Sequence, residues 1–310
     1  VAYAPGPDMN RDIPHPFGEF DMTKKKPIQA PEEAKVAFET AVKTAQSADL
    51  IIMVLGESAD MAGEFASRGS LDLPGRQEEL LKAISALGKP VVLVLLNGRP
   101  LSINWAAENV PAILEAWEPG SEGGNAVADI LFGDVNPGGR LPVCFPRNGN
   151  HAPLYYARTI THLPESSEQY RSRYWDSPTT PLYPFGFGLS YTTFEFSNLT
   201  VSAEQIKVGE HVNISVDVTN SGPVAGDEVA QLYIHQKWGS DSRPMRELKG
   251  FKRLTLQPGA TQTVSFQLGP DELKYWSTNA GQWVQEAAKF DIWVGADSLA
   301  TLHTAFEVIA

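Results

Sequence analysis

The chain has 310 residues, 42% of them hydrophobic and 20% charged, a composition that supports about two folded domains and excludes a disordered polymer. Lys and Arg number 25 against 37 Asp and Glu, and the net charge of −12 opposes binding to phosphate backbones. No apolar run approaches the roughly 18 residues of a membrane span, and the lone cysteine, Cys144, excludes an internal disulfide and a multi-cysteine metal site.

Val1-Ala-Tyr-Ala-Pro-Gly6 lacks the basic and apolar regions of a signal peptide and reads as the end of a strand entering a turn. Residues 7–30, rich in Pro and polar side chains, read as a loop. Ala34, Ala37, Phe38, Ala41, Val42 and Ala45 then recur at helical spacing and predict a helix over 32–47, opened by Pro31 and the acidic pair Glu32-Glu33. The continuous apolar run Leu50–Leu55 predicts a strand buried on both faces. Leu80, Leu81, Ile84 and Leu87 mark a second helix closed by Gly88. Val91–Leu96 and Ala112–Trp117 predict two further strands, with a short helix around 102–107 between them and another over Glu122–Phe132. This alternation predicts an α/β layer with a parallel sheet, whose ligands gather at the carboxyl ends of its strands.

Beyond about residue 190 the period changes to two. Val212, Ile214, Val216 and Val218 alternate with polar residues, as do Val264, Phe266 and Leu268, and Phe290, Ile292 and Val294. Turn signals separate these runs and no helices intervene, which predicts an all-β sandwich. The expected organisation is an α/β domain over 1–146, an ordered connecting segment over 147–194 packed across both domains, and the sandwich over 195–310.

Chemistry is expected in the loop after the first strand, where Gly56-Glu57-Ser58 is followed by Asp60, Glu64 and Arg68. Carboxylates and an arginine on one strand-end loop suit general acid chemistry on an uncharged polar substrate; a solvated surface loop with a casual Glu–Arg pair is the competing reading. The six histidines, among them His151 and His162, have no metal-ligand spacing. Gly120-Ser-Glu-Gly-Gly124 lacks the Walker lysine and serves better as a helix start, and Ser121 sits in no nucleophile elbow. Cys144 reads as a buried filler. Trp105, Trp117 and Trp175 could stack on sugar rings, although burial in a core is the commoner fate of tryptophan. The sandwich aromatics Tyr233, Trp238, Trp276, Trp283 and Trp293 form no obvious stripe in the sequence.

A series of ordered motifs goes further. They are Tyr3-Ala-Pro-Gly6, Val54-Leu-Gly-Glu57, Ser67-Arg68, Leu71-Asp-Leu-Pro74, Asn97-Gly-Arg-Pro100, Ala116 through Gly124, Ala128 through Asp134, Pro137 through Pro142, Tyr183 through Tyr191, Gly226 through Tyr233, and Leu248-Lys-Gly-Phe251. Together they resemble the C-terminal part of glycoside hydrolase family 3, the β-glucosidase and β-xylosidase group.

The resemblance implies a partial α/β sandwich domain, with a parallel-rich sheet and helices, followed by an immunoglobulin/fibronectin III-like sandwich. It also implies an N-terminal (β/α)8 barrel fragment as partner, carrying the aspartate nucleophile; this chain has no such motif. The general acid/base is then a glutamate of the α/β domain, here Glu57, with Glu64 as rival for that role and Glu64 and Arg68 as substrate-binding residues. The implied reaction is retaining hydrolysis of terminal β-D-glucosyl residues from a β-glucoside or oligosaccharide. It needs no cofactor and no metal. β-Xylosidase chemistry and a non-catalytic carbohydrate-binding or interaction module are the alternatives. A homodimer is the other association considered, nucleic acid and membrane are not expected partners, and the location implied is periplasmic or secreted.

Overall fold

The computed structural model describes residues 1–9, 29–58, 61–64, 68–159 and 174–310. They divide into two compact units, one comprising Val1–Ala128 with Pro146–Ala152 and the other Asp129–Phe145 with Pro153–Ala310. Residues 129–145, expected in the α/β domain, therefore cluster with the sandwich.

In the first unit, α1 (Pro31–Gln46) opens with Pro in its first turn, and the Glu33 side chain accepts a hydrogen bond from the Ala30 amide. Glu32 and Glu33 place negative charge at the positive end of the helix dipole. The chain continues through β1 (Ile51–Gly56), α2 (Gln77–Ser85), β2 (Val91–Leu96), α3 (Asn104–Asn109) and β3 (Ala112–Glu115). These strands form a parallel sheet in the order β1-β2-β3, with Ile51 opposite Val91 and Val92 opposite Ala112. All three strands therefore end on the same side, and their following loops converge there. Helix α4 (Gly123–Phe132) follows, and residues of it fall in both units.

The expectation that the first strand is buried on both faces is not met. Ile51 and Met53 are buried, whereas Ile52 and Val54 are 46% and 56% exposed. β1 is an edge strand of the sheet, and α2 packs against it. The side chains alternate across a strand, so the Ile51 and Met53 face is closed while the Ile52 and Val54 face stays open.

In the second unit, β4 (Phe194–Val201), β6 (Val212–Asn220) and β9 (Thr261–Leu268) form one antiparallel sheet in the order β4-β6-β9. The other sheet runs β5-β13-β12-β7-β8, from β5 (Gln205–Lys207), β7 (Gly226–Gln236), β8 (Glu247–Leu256), β12 (Ala288–Gly295) and β13 (Leu302–Ile309). A single turn, α5 (Pro270–Leu273), leads into the hairpin β10 (Tyr275–Ser277) and β11 (Gln282–Val284). Val212, Ile214, Val216 and Val218 are fully buried against Leu232, Phe290, Ile292 and their neighbours, as their alternation predicts. Residues preceding β4 are fastened to this unit: Arg140 pairs with Glu228 at 2.7 Å, and Tyr156 packs edge to face on Tyr233 of β7 with ring centroids 5.9 Å apart.

Candidate active site at the strand ends

The end of β1, paired with Leu96 of β2 on one side, is held on its other side by a side chain. Gln77, buried at the start of α2, accepts from the Gly56 amide and donates to the Gly56 carbonyl, both at 2.7 Å. Gly56 itself has φ +137°, and a Cβ there would stand 1.9 Å from the Leu96 carbonyl oxygen. Only glycine fits this close approach. The next amide, of Glu57, donates to the same Leu96 carbonyl at 2.8 Å, so the chain leaves the sheet in a fixed direction.

That direction brings the Glu57 carboxylate between two guanidinium groups. Arg68 Nη1 donates to Glu57 Oε1 at 2.8 Å, and Arg99 Nε lies 3.0 Å from Oε1 and 3.2 Å from Oε2. The Glu57 side chain is only 1% exposed. Glu57 and Arg68, two charges of one loop, are thus in contact, joined by an arginine from the loop after β2. Arg68 is anchored further by the Asp72 carbonyl at 2.8 Å. Arg99 also donates, through Nη2, to the Met61 carbonyl. Met61 is buried, and three residues on, Glu64 stands exposed to solvent. Asp60 lies outside the described residues.

The loops after β2 and β3 meet beside this cluster. Asn97, 1% exposed, donates from Nδ2 to the Arg99 carbonyl at 2.9 Å and to both oxygens of Glu115 at 3.2 and 3.3 Å. The Trp117 amide donates to Glu115 Oε1 at 3.0 Å, and the Trp117 carbonyl accepts from the Asn97 amide at 3.1 Å. Trp117 adopts φ +51°, a left-handed conformation unusual for a bulky residue and most often kept where a site needs it. Desolvation raises the Glu115 carboxyl to about 7, outweighing the hydrogen bonds from Trp117 and Asn97 that favour its charged form.

Arg99, Asn97 and Glu115 carry no site role in the sequence reading. Asn97 nevertheless follows the second apolar strand and Glu115 closes the third, at the strand ends where ligands of a parallel sheet gather. The other candidates fall elsewhere. Cys144 is buried, and burial pushes its thiol up, so it has the character of a filler rather than a nucleophile. Trp276 and Trp283 pair edge to face across the β10–β11 hairpin and are half exposed, closer together than their sequence positions suggest. His162 lies outside the described residues. Among the described residues, no three His, Cys, Asp or Glu side chains are grouped to hold a metal ion, and no helix is long and apolar enough to cross a membrane.

Residues 7–191 match the model of the glycosyl hydrolase family 3 C-terminal domain, and residues 228–298 match that of the fibronectin type III-like domain. The chain belongs to glycoside hydrolase family 3. Its α/β sheet and β-sandwich are the C-terminal architecture the motifs imply for this family. A periplasmic β-glucosidase of Salmonella typhimurium is 43% identical over 282 residues, covering 90% of this chain and 37% of that protein. A β-xylosidase of Formosa agariphila is 46% identical over 267 residues, covering 86% of this chain and 36% of that protein. The solved β-glucosidase of Erythrobacter marinus superposes with a TM-score of 0.85 at 40% identity, covering 93% of this chain and 38% of that one. The chain thus spans little more than a third of the length of these family 3 relatives.

Proposed function

We propose that this chain supplies the general acid/base half of a retaining β-glucosidase, completed by an N-terminal barrel portion that carries the nucleophilic aspartate. The reading rests on family membership and on the convergence of Glu57, Arg68, Arg99 and the Glu64 turn at the strand ends. One observation carries the assignment of roles within that cluster: Arg99 joins the buried Glu57 to the carbonyl of Met61, on the turn that presents Glu64.

Both oxygens of Glu57 already accept from guanidinium groups, and its side chain is closed to solvent. Such a carboxylate is an organising acceptor rather than a group that reaches a substrate. We therefore assign proton transfer to the exposed Glu64, and to Glu57 the work of holding Arg68 and Arg99. In the retaining reaction the barrel aspartate attacks the anomeric carbon while Glu64 protonates the departing oxygen. The same residue then deprotonates the water that releases the sugar. The two carboxyl groups would stand about 5–5.5 Å apart in the completed site. The β-glucosidases among the relatives favour a terminal β-D-glucosyl substrate; the β-xylosidase of Formosa agariphila keeps β-xylosides as the second reading. A periplasmic or secreted location accompanies the first reading.

The test uses the chain together with its N-terminal portion. Glu64→Gln is expected to lower kcat/KM on alkyl glucosides by about 10²–10⁴-fold while sparing glycosylation by aryl glucosides whose leaving group needs no proton. Glu57→Gln is expected to impair both substrate types alike, because it disturbs the arginines rather than the proton. The opposite pattern reverses the two roles. Loss of neither activity leaves only the non-catalytic module.

A further inference from the structure

The carboxyl of Glu115 takes no part in the chemistry above, yet it sits one residue pair away from it. Three observations meet there. Among the described residues, Glu115 is bound only by donors, from Asn97 Nδ2 and the Trp117 amide. The Asn97 amide bridges Glu115 to the carbonyl of Arg99, the residue that grips Glu57 and the Met61 turn. The other end of that amide, Asn97 Oδ1, is buried with no hydrogen-bond partner among the described residues. A buried amide oxygen without a donor is costly, and a nearby carboxyl can relieve it only by becoming a donor itself.

We propose that Glu115 is a positioning residue for the proton-donor loop, acting through Asn97 in two states. With Glu115 ionised, its oxygens accept from Asn97 Nδ2, and the same amide holds the Arg99 carbonyl. When a proton from solvent binds, Glu115 gains an O–H that needs an acceptor, and Asn97 Oδ1 supplies one if the amide turns over. Nδ2 then leaves the Arg99 carbonyl and Oδ1 faces it instead. Two acceptors repel, so the 97–99 turn shifts and Arg99 loosens its hold on Glu57 and Met61.

The surrounding charges fit this scheme. From the loop after β2 comes Arg99, directed to Glu57 rather than to Glu115; from the loop after β1 come Glu57 and Arg68, joined to each other. On its own loop stands Glu118, whose Oε1 would lie 3.0 Å from a Cβ at Gly98. Among the described residues no cation pairs with the Glu115 carboxylate, and burial raises its affinity for a proton to the neutral range. The exchange therefore falls near neutral pH.

The role in catalysis rests on the proton-donor reading above, whereas the coupling itself does not, and the experiment separates them. In the full chain, NMR is used to follow the Asn97 side-chain amide and the Arg99 and Trp117 backbone amides from about pH 5 to 9. All three are expected to share one midpoint near 7. In Glu115→Gln the midpoint disappears from all three; in Asn97→Ala, Trp117 still titrates while Arg99 does not. Flat signals in the parent chain, or a midpoint surviving Glu115→Gln, overturn the proposal. With the N-terminal portion present, Glu115→Gln, which donates to Asn97 as the protonated acid does, is expected to hold kcat/KM at its acid-side value across the range and so remove the acid limb set by this group. An unmoved limb in an active enzyme overturns the positioning role. An inactive parent whose amides still titrate together overturns the glycosidase reading and leaves the coupling intact.

Discussion

The two units bury similar kinds of residue and reach opposite outcomes. In the sandwich, the inward residues of β6 and β12 are wholly enclosed between two sheets, and their polar partners point to solvent. In the α/β unit, β1 is more continuously apolar than either, yet Ile52 and Val54 stand exposed while charged Glu57, one residue beyond the strand, is closed off. A sandwich completes its core within one stretch of chain. A parallel sheet needs cover on both faces, and its polar end can be dried by arginines before its apolar edge is.

The largest effect that would sharpen this contrast lies in the sandwich. Phe290 is fully buried and stacks on Phe306 with centroids 5.2 Å apart. Phe290→Ala is expected to cost about 3–5 kcal/mol, since the lost transfer energy is joined by a cavity that two hydrogen-bonded sheets cannot collapse. Denaturant unfolding of the full chain measures it. A cost below about 1 kcal/mol would mean that this core is as open as the face of β1.

The same contrast explains what could be read from the residues alone. Alternation in β6, β9 and β12 is legible because each strand has one wet and one dry face. β5, β10 and β11 have three residues each, too few to display a period, and they are missing from the sequence reading. Leu50–Leu55 correctly marks a strand, but apolar content says nothing of what covers it. The Glu57–Arg68 pair was visible as two charges on one loop. Arg99 is 42 residues from Glu57 and Glu115 is 18 from Asn97, so their contacts exist only once the sheet brings the strand ends together. Gln77, too, gives no sign in the sequence that its amide clasps Gly56. Glu64 shares a loop with Glu57, and only burial and the arginines distinguish their proposed roles.

A second effect, somewhat smaller, concerns pH. Glu115 has its proton affinity raised from 4.5 to about 7 by burial. The folded state then holds a proton that the unfolded chain has released. Stability is therefore fully present below about pH 4.5 and is lost as pH rises towards 7, by up to about 3 kcal/mol. Glu115→Gln removes this dependence. Thermal unfolding of the two proteins across that window should diverge at its acid end and run parallel above it. The sandwich offers the control: Asp217 is lowered by hydrogen bonds from Thr263 and Asn198, so its contribution has the opposite sign and lies at lower pH.

The smallest effect bears most directly on the open face of β1. Ile52 is 46% exposed on the open face of β1. In this chain Ile52→Ala removes little buried surface, and the expected cost is below about 1 kcal/mol. If the proposed N-terminal portion covers that face, the same change in the combined protein deletes a packed side chain, and the cost rises to about 2 kcal/mol or more. Ile51→Ala, on the closed face, should cost a similar amount in both settings and reports on the fold itself. The informative quantity is thus a difference of differences, insensitive to how stable either form is. If Ile52→Ala stays cheap in both, β1 is an edge that tolerates water, and the completing portion binds somewhere other than this face.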